Sequence, residues 1–224
     1  DAHTPEGRIF HGSEMKKETV KAAWAAADSL SRKSIYVRTT FTSQQKKVKQ
    51  AVVNICGLGL YELSINGKKV GNSEFTPLIS DYDKSVWYNT YDVTALLQKG
   101  NNAIGVLLGN GFYNVQGGRY RKLLISFGPP TVRLQLTIHY EDGTSQTVAS
   151  DKTWKYDFSP VTFNCIYGGE DYDARQEQKG WNMAKFNDTL WNQVVVQEGP
   201  KGVLRPQIAA PVAIMEHYSP ISAT

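Results

Sequence analysis

The chain has 224 residues, 41% of them hydrophobic and 21% charged, with a formal charge of +4. That length buries a sizeable core and suits one large domain with ordered extensions, including an all-β sandwich. No run of Lys or Arg exceeds two residues, which leaves nucleic acid without a footprint, and no window approaches the roughly eighteen apolar residues of a membrane span.

Two cysteines, Cys56 and Cys165, make no disulfide framework, and their pairing is open at this level. The opening DAHTPEGRIF lacks the pattern of a signal peptide and reads as a trimmed or mature terminus. Residues 13 to 30, SEMKKETVKAAWAAADSL, predict a helix, with Val20, Ala23, Trp24 and Ala27 at helical spacing, Ser13 as its cap and Trp24 docking it on a sheet.

From Ser34 the period changes to two. IYVRTTF (35 to 41) and KQAVVNICG (49 to 57) predict strands joined by a polar turn. LYELSINGKKVG follows, with Asn66-Gly67 between alternating runs; both turn residues must take positive φ in a type I′ turn, so residues 58 to 71 predict a hairpin. An irregular connection through Pro77 and residues 81 to 84 leads to a strand from Val86 to Tyr91. Then come a helical turn capped by Asp92 and a buried strand from Ala103 to Leu108. Residues 109 to 130 are a glycine- and aromatic-rich loop. VRLQLTIHY (132 to 140) and SQTVAS form another hairpin, Trp154 and Lys155 continue a strand, and WNQVVVQEG supplies one more.

Between these last strands lies a segment of loop composition, NCIYGGEDYDARQEQKGWNMAKFNDTLW, from Asn164 to Trp191. A loop this long inside a compact domain is usually either functional or a misread element. The tail from Leu204 carries three prolines and no period, as an extended strap does. Short strands with turn signals and hardly any helix predict an all-β, antiparallel jelly-roll sandwich with one short N-terminal helix. The predicted organisation is an extension over 1–33, a sandwich over 34–203 and a linker over 204–224 to a further domain. There is no phosphate-binding glycine loop, and the four histidines (His3, His11, His139, His217) are too scattered for a transition-metal site.

The series YELSINGKKVG, ISDYDKSVWYNTYDVTALLQKGNNAIGVLLGNGFY, EDGTSQTVASDKTWK, and IYGGEDYDARQEQKGW with FNDTLW resembles the N-terminal β-sandwich domain of bacterial α-L-rhamnosidases, glycoside hydrolase family seventy-eight. The likeness runs from Ser34 to Val196, and GGEDYDAR followed by GW is its most specific piece. It implies a non-catalytic module of a polysaccharide-degrading protein, periplasmic or extracellular, with the catalytic (α/α)6 barrel further along the polypeptide. It also implies a rhamnose-containing glycan as partner and calcium as a possible aid. Sugar-binding members place an amide after the acid at Asp83 and a Trp at Phe112, where this chain has Lys84 and Phe.

Three functional readings follow. Carboxylates and amides that bond hydroxyl pairs, with an aromatic face, suit a sugar. The candidates are Asp81, Asp83, Asn110, Phe112, Tyr113, Arg119, Glu170, Asp171 and Asp173, with Asp83 and Glu170 offered to calcium. A glycosidase in the chain itself needs two carboxylates about 5 to 10 Å apart, as Glu170 with Asp173 or Glu177. A purely structural reading has Glu170 and Asp173 accepting backbone amides, Arg175 forking onto a carboxylate and Tyr172 filling the core, in a module that shapes a neighbouring cleft or a dimer contact.

Overall fold

The computed structural model describes residues 3–4, 7–9, 23–26, 33–115, 119, 123–219 and 221–222. Two sheets face each other as an all-β sandwich. Among the described residues the larger runs in the order His3–Thr4, Gly7–Ile9, Ser85–Asp92, Val48–Leu58, Thr131–Tyr140, Trp24–Ala26, Val195–Gln197, with Ser145–Ala149 also on Thr131–Tyr140. The smaller runs Asn192–Gln193, Lys155–Phe158, Ile35–Thr42, Asn101–Gly109, Leu60–Ile65, Lys68–Lys69. No helix of the described residues is long and apolar enough to cross a membrane.

The period of two explains the core. Ala51, Val53 and Ile55 from one strand and Leu134, Leu136 and Ile138 from its partner point inward, and Val37, Leu63, Ile104, Val106 and Leu108 meet them from the smaller sheet. Val106 lies in register with both Val37 and Leu63. Cys56 and Leu58 face the opposite side of the larger sheet, where they join Trp24, Tyr82, Val86, Tyr88 and Tyr113 in a second apolar cluster. Both cysteines are buried and unbonded.

Asn66 and Gly67 take φ of 51° and 83°, and Ser64 pairs with Lys69 across them, as the hairpin requires. Asn66 does more than turn the chain, since its Nδ2 donates to the Leu96 carbonyl at 2.9 Å and its Oδ1 accepts the Ala103 amide at 2.9 Å. Gly67→Ala is expected to destabilise the chain by about 1 kcal/mol in urea titration, because an L side chain is strained at that φ.

Two expectations are corrected, and the extended course expected of the tail is given its partners. The described part of the predicted 13-to-30 helix, Trp24–Ala26, is a strand laddered on both sides, to Thr131 and Val132 and to Val195–Gln197; residues 13–22 and 27–30 lie outside the described residues. Pairing on two edges outweighs the helix propensity of an Ala-rich stretch. The WNQVVVQEG run is two strands in different sheets, Asn192–Gln193 in the smaller and Val195–Gln197 in the larger, and buried Val194 marks the crossing. The tail is paired backbone: Val203–Pro206 runs parallel to Ser85–Tyr88, and Val212–Ala213 pairs with Ser73–Glu74.

Candidate functional site

The connection before the Ser85–Asp92 strand ends in a tight turn in which the amides of Lys84 and Ser85 both donate to the Asp81 carbonyl, at 2.9 and 2.8 Å. The Asp81 carboxylate accepts the Asp83 amide at 3.3 Å and pairs with the Lys84 ammonium at 2.9 Å. That lysine holds the Asp81 carboxyl below its usual pKa. Because the turn fixes both acids outward, the ring of Tyr82 between them points into the second apolar cluster. There it meets Tyr113 edge-on at 5.0 Å and Phe127 at 5.2 Å. Burial, with smaller contributions from Cys56 and Tyr113, pushes the Tyr82 phenol up to about 12, so it stays neutral.

The glycine-rich loop closes the other wall. Gly111, at φ 51°, sits so near Gly59 and Leu60 that a Cβ there would lie 2.9 to 3.0 Å from them, and this tight bend presents Phe112 outward. The short pairing of Asn114–Val115 with Ile125–Ser126 brings Phe127 back beside Tyr113, whose hydroxyl donates to the Phe127 carbonyl at 3.3 Å. The result is a cleft of about 340 Å³ whose lining includes Ser80, Asp81 and Asp83 together with Phe112, Ile125 and Phe127. The Ser80 Oγ has no hydrogen-bond partner among the described residues.

The nine candidates therefore separate. Asp81, Asp83 and Phe112 share the cleft, and Tyr113 backs it from beneath. Asn110 is fully buried; its side chain donates to the Asn164 carbonyl and accepts from Asn114 at 2.6 Å, so it ties two loops together. Arg119 forks onto Asp171, both bonds 2.6 Å, on the exposed hairpin of Val161–Cys165 and Gly169–Tyr172, which also carries Glu170. That hairpin reaches the cleft through Tyr167, edge-on to Phe112 at 5.9 Å. Asp173 caps a 3-10 turn and is gripped by Arg175 at 2.8 Å, which draws its carboxyl well below the usual range. Tyr172 does not fill the core: it is 56% exposed and donates to Glu177. Tyr82 and Phe127 line the cleft and Tyr167 adjoins it though none was among the candidates, and their one signal was aromatic residues set beside acids or glycines in loops.

Calcium takes six to eight oxygens from several carboxylates and carbonyls. Asp83 and Glu170 lie on different elements, Asp81 is occupied by Lys84, and among the described residues no three His, Cys, Asp or Glu side chains form a metal-holding group. The residues present do not fit a calcium cage.

The rest of the long segment lies over the outer face of the smaller sheet. Trp181 stacks on Tyr36 with centroids 4.0 Å apart, and Asn182 donates to Ser64 at 3.0 Å. Asp188 pairs with buried Arg38 and with Lys155, the latter at 2.9 Å.

The profile of the α-L-rhamnosidase N-terminal domain matches residues 46–216. An α-L-rhamnosidase of Formosa agariphila is 45% identical over 150 residues, which are 65% of this chain and 16% of that protein. The structure of an α-L-rhamnosidase from Dictyoglumus thermophilum superimposes with a TM-score of 0.80 at 36% identity, covering 90% of this chain and 24% of that one. A Streptomyces avermitilis α-L-rhamnosidase complexed with L-rhamnose gives 0.73 at 33% identity, over 87% of this chain and 18% of that one. The chain thus spans less than a quarter of each of these relatives.

Proposed function

Because the chain belongs to the α-L-rhamnosidase N-terminal domain family, we infer that it is an accessory module that recognises a rhamnose-containing glycan beside a catalytic barrel elsewhere in the same polypeptide, in the periplasm or outside the cell. The observation that carries this reading is the cleft itself, whose lining brings Asp83 together with Phe112 and Phe127. A carboxylate accepts from paired sugar hydroxyls, and a flat ring covers the C–H face of a pyranose. Lys84, paired with Asp81 at 2.9 Å, sets a positive charge beside the acids that a divalent ion would need. Binding is therefore expected without calcium.

Calorimetric titration with L-rhamnose, in calcium and in chelator, tests this. The expected result is equal heat in both and at least tenfold weaker binding by Asp83→Ala, since a hydrogen bond to a charged group contributes about 1.5–3 kcal/mol. Heat that survives Asp83→Ala unchanged removes the cleft from the reading. The alternative, an interdomain contact module without ligand, draws on the exposed apolar tail residues Ile208, Ile214, Met215 and Tyr218, and would be left standing by the absence of any heat. Catalysis by the acid cluster has less support. Asp173 is held ionised by Arg175, whereas a glycosidase divides its carboxylates into acid and base. Turnover of an aryl rhamnoside by this chain would reverse that judgement.

A further inference from the structure

The Val161–Cys165 and Gly169–Tyr172 hairpin touches a cleft at each end. Its turn carries Tyr167 to Phe112 in the first cleft. Its last residue, Tyr172, lines a second opening of about 240 Å³ with Glu177, Lys179 and Trp181. At ~3.3 Å per residue, at most about 17 Å of backbone separates Tyr167 from Tyr172. All four residues from Gly169 to Tyr172 between these points are exposed.

The second cleft is built from groups already fixed in place. Its floor is Trp181, stacked on Tyr36 at an interplanar angle of 18° and seated over Gly105, where a Cβ would lie 2.7 Å from the indole. Gln178 in its wall is held at both ends of its amide, accepting from the Trp191 indole at 2.9 Å and donating to Asp157 at 2.7 Å. The Glu177 carboxylate takes the Tyr172 hydroxyl on Oε1, and its Oε2 has no hydrogen bond among the described residues. Lys179, also in the lining, makes no ion pair among the described residues. Burial, then Tyr172 and Glu177, push the Tyr36 phenol up to about 12, so among the described residues lining the opening the charged side chains are Glu177 and Lys179.

We propose that this opening is a second glycan contact, taking a neutral pyranoside unit, and that the hairpin carries one oligosaccharide from the Asp83 cleft to the Glu177 cleft. The carboxylate and the ammonium serve hydroxyls as acceptor and donor with no net charge to select an anion, and the half-exposed Tyr172 ring offers the flat apolar face. The proposal extends the sugar-binding reading of the first cleft, and its test separates the two.

The chain, Asp83→Ala, Tyr172→Ala and Glu177→Gln are titrated with L-rhamnose and with a rhamnose tetrasaccharide. The tetrasaccharide is expected to bind the unaltered chain about tenfold tighter than the monosaccharide, because the second contact is made at high effective concentration. Tyr172→Ala and Glu177→Gln are expected to erase that gain while leaving monosaccharide affinity and melting temperature as they were. Tetrasaccharide binding that persists in Asp83→Ala and is lost when Tyr172→Ala is added supports the second cleft even if the first fails. Equal affinity for both sugars, or a length gain indifferent to Tyr172 and Glu177, overturns the proposal and leaves the Asp83 reading intact. No heat with either sugar overturns both.

Discussion

Trp154→Ala is expected to lower the unfolding free energy by about 4 kcal/mol, within the range for emptying a buried tryptophan site. At roughly 2–4 °C per kcal/mol for a chain of this size, the melting temperature falls by about 12 °C. Trp154 is 1% exposed and sits where the chain leaves the larger sheet after Ala149 and enters the smaller one at Lys155. Its indole donates to the Ala149 carbonyl at 3.0 Å, and its own carbonyl accepts the Val194 amide at 3.0 Å. Two of the crossings between the sheets therefore hang on one residue, the second of them being the one at Val194. Trp154→Phe keeps most of the apolar volume and loses the indole bond, so a cost of about 1–2 kcal/mol is expected. Urea titration of the two variants resolves the volume from the bond. A Trp154→Ala melting temperature within about 2 °C of the unaltered chain would mean that the crossings are held by something else.

These crossings also mark where the sequence stops being legible. Alternation placed the strands around Val37, Val53, Val106 and Leu136, because a residue's face in a strand is set by its neighbours two positions away. Asn66-Gly67 declared its turn for the same local reason, its two positive φ values. The run Val194-Val195-Val196 carries no such signal: three identical side chains cannot say that the first is a crossing and the next two belong to another sheet. Trp24–Ala26 misled in the opposite way. Its alanines favour a helix locally, and only the two ladders on either side, one of them about 170 residues away at Val195–Gln197, make it a strand.

The candidate site divides along the same line. Asp81, Asp83 and Phe112 were visible because acids in a turn and an aromatic after a glycine are unusual where they stand. Tyr82 and Phe127 were hidden, since aromatic residues in a β protein mostly fill cores, and Tyr82 does that as well. Asn110 lies away from the cleft lining, and an amide in a loop looks the same whether it meets a ligand or, as here, Asn164 and Asn114. The placement of Trp181 depends on Gly105, 76 positions earlier, whose missing side chain leaves the room that the indole occupies. Nothing local to either residue announces the other.

The long segment is expected to come off its sheet when Asp188 is replaced. Arg38 is 1% exposed beneath it, donates to the Met183 carbonyl at 3.0 Å and lies 5.4 Å from the centroid of Phe186. Burial lowers the Arg38 pKa, which measures how poorly this environment tolerates its charge alone. Asp188→Ala removes the carboxylate and leaves a buried guanidinium with one carbonyl acceptor, for an expected loss of about 3 kcal/mol. Arg38→Ala is expected to cost less, about 2 kcal/mol, because Asp188 is partly exposed and keeps Lys155 as its partner at 2.9 Å. The double variant Arg38→Met with Asp188→Leu replaces the pair by apolar groups and is expected to recover most of the loss, which separates the cost of a stranded charge from the value of the pair. Limited proteolysis reads the geometry directly: Asp188→Ala exposes cleavage between Gln178 and Trp191, and the double variant protects it again. If Asp188→Ala is as resistant as the unaltered chain, then the stacking of Trp181 on Tyr36, and not the ion pair, is what holds the segment down.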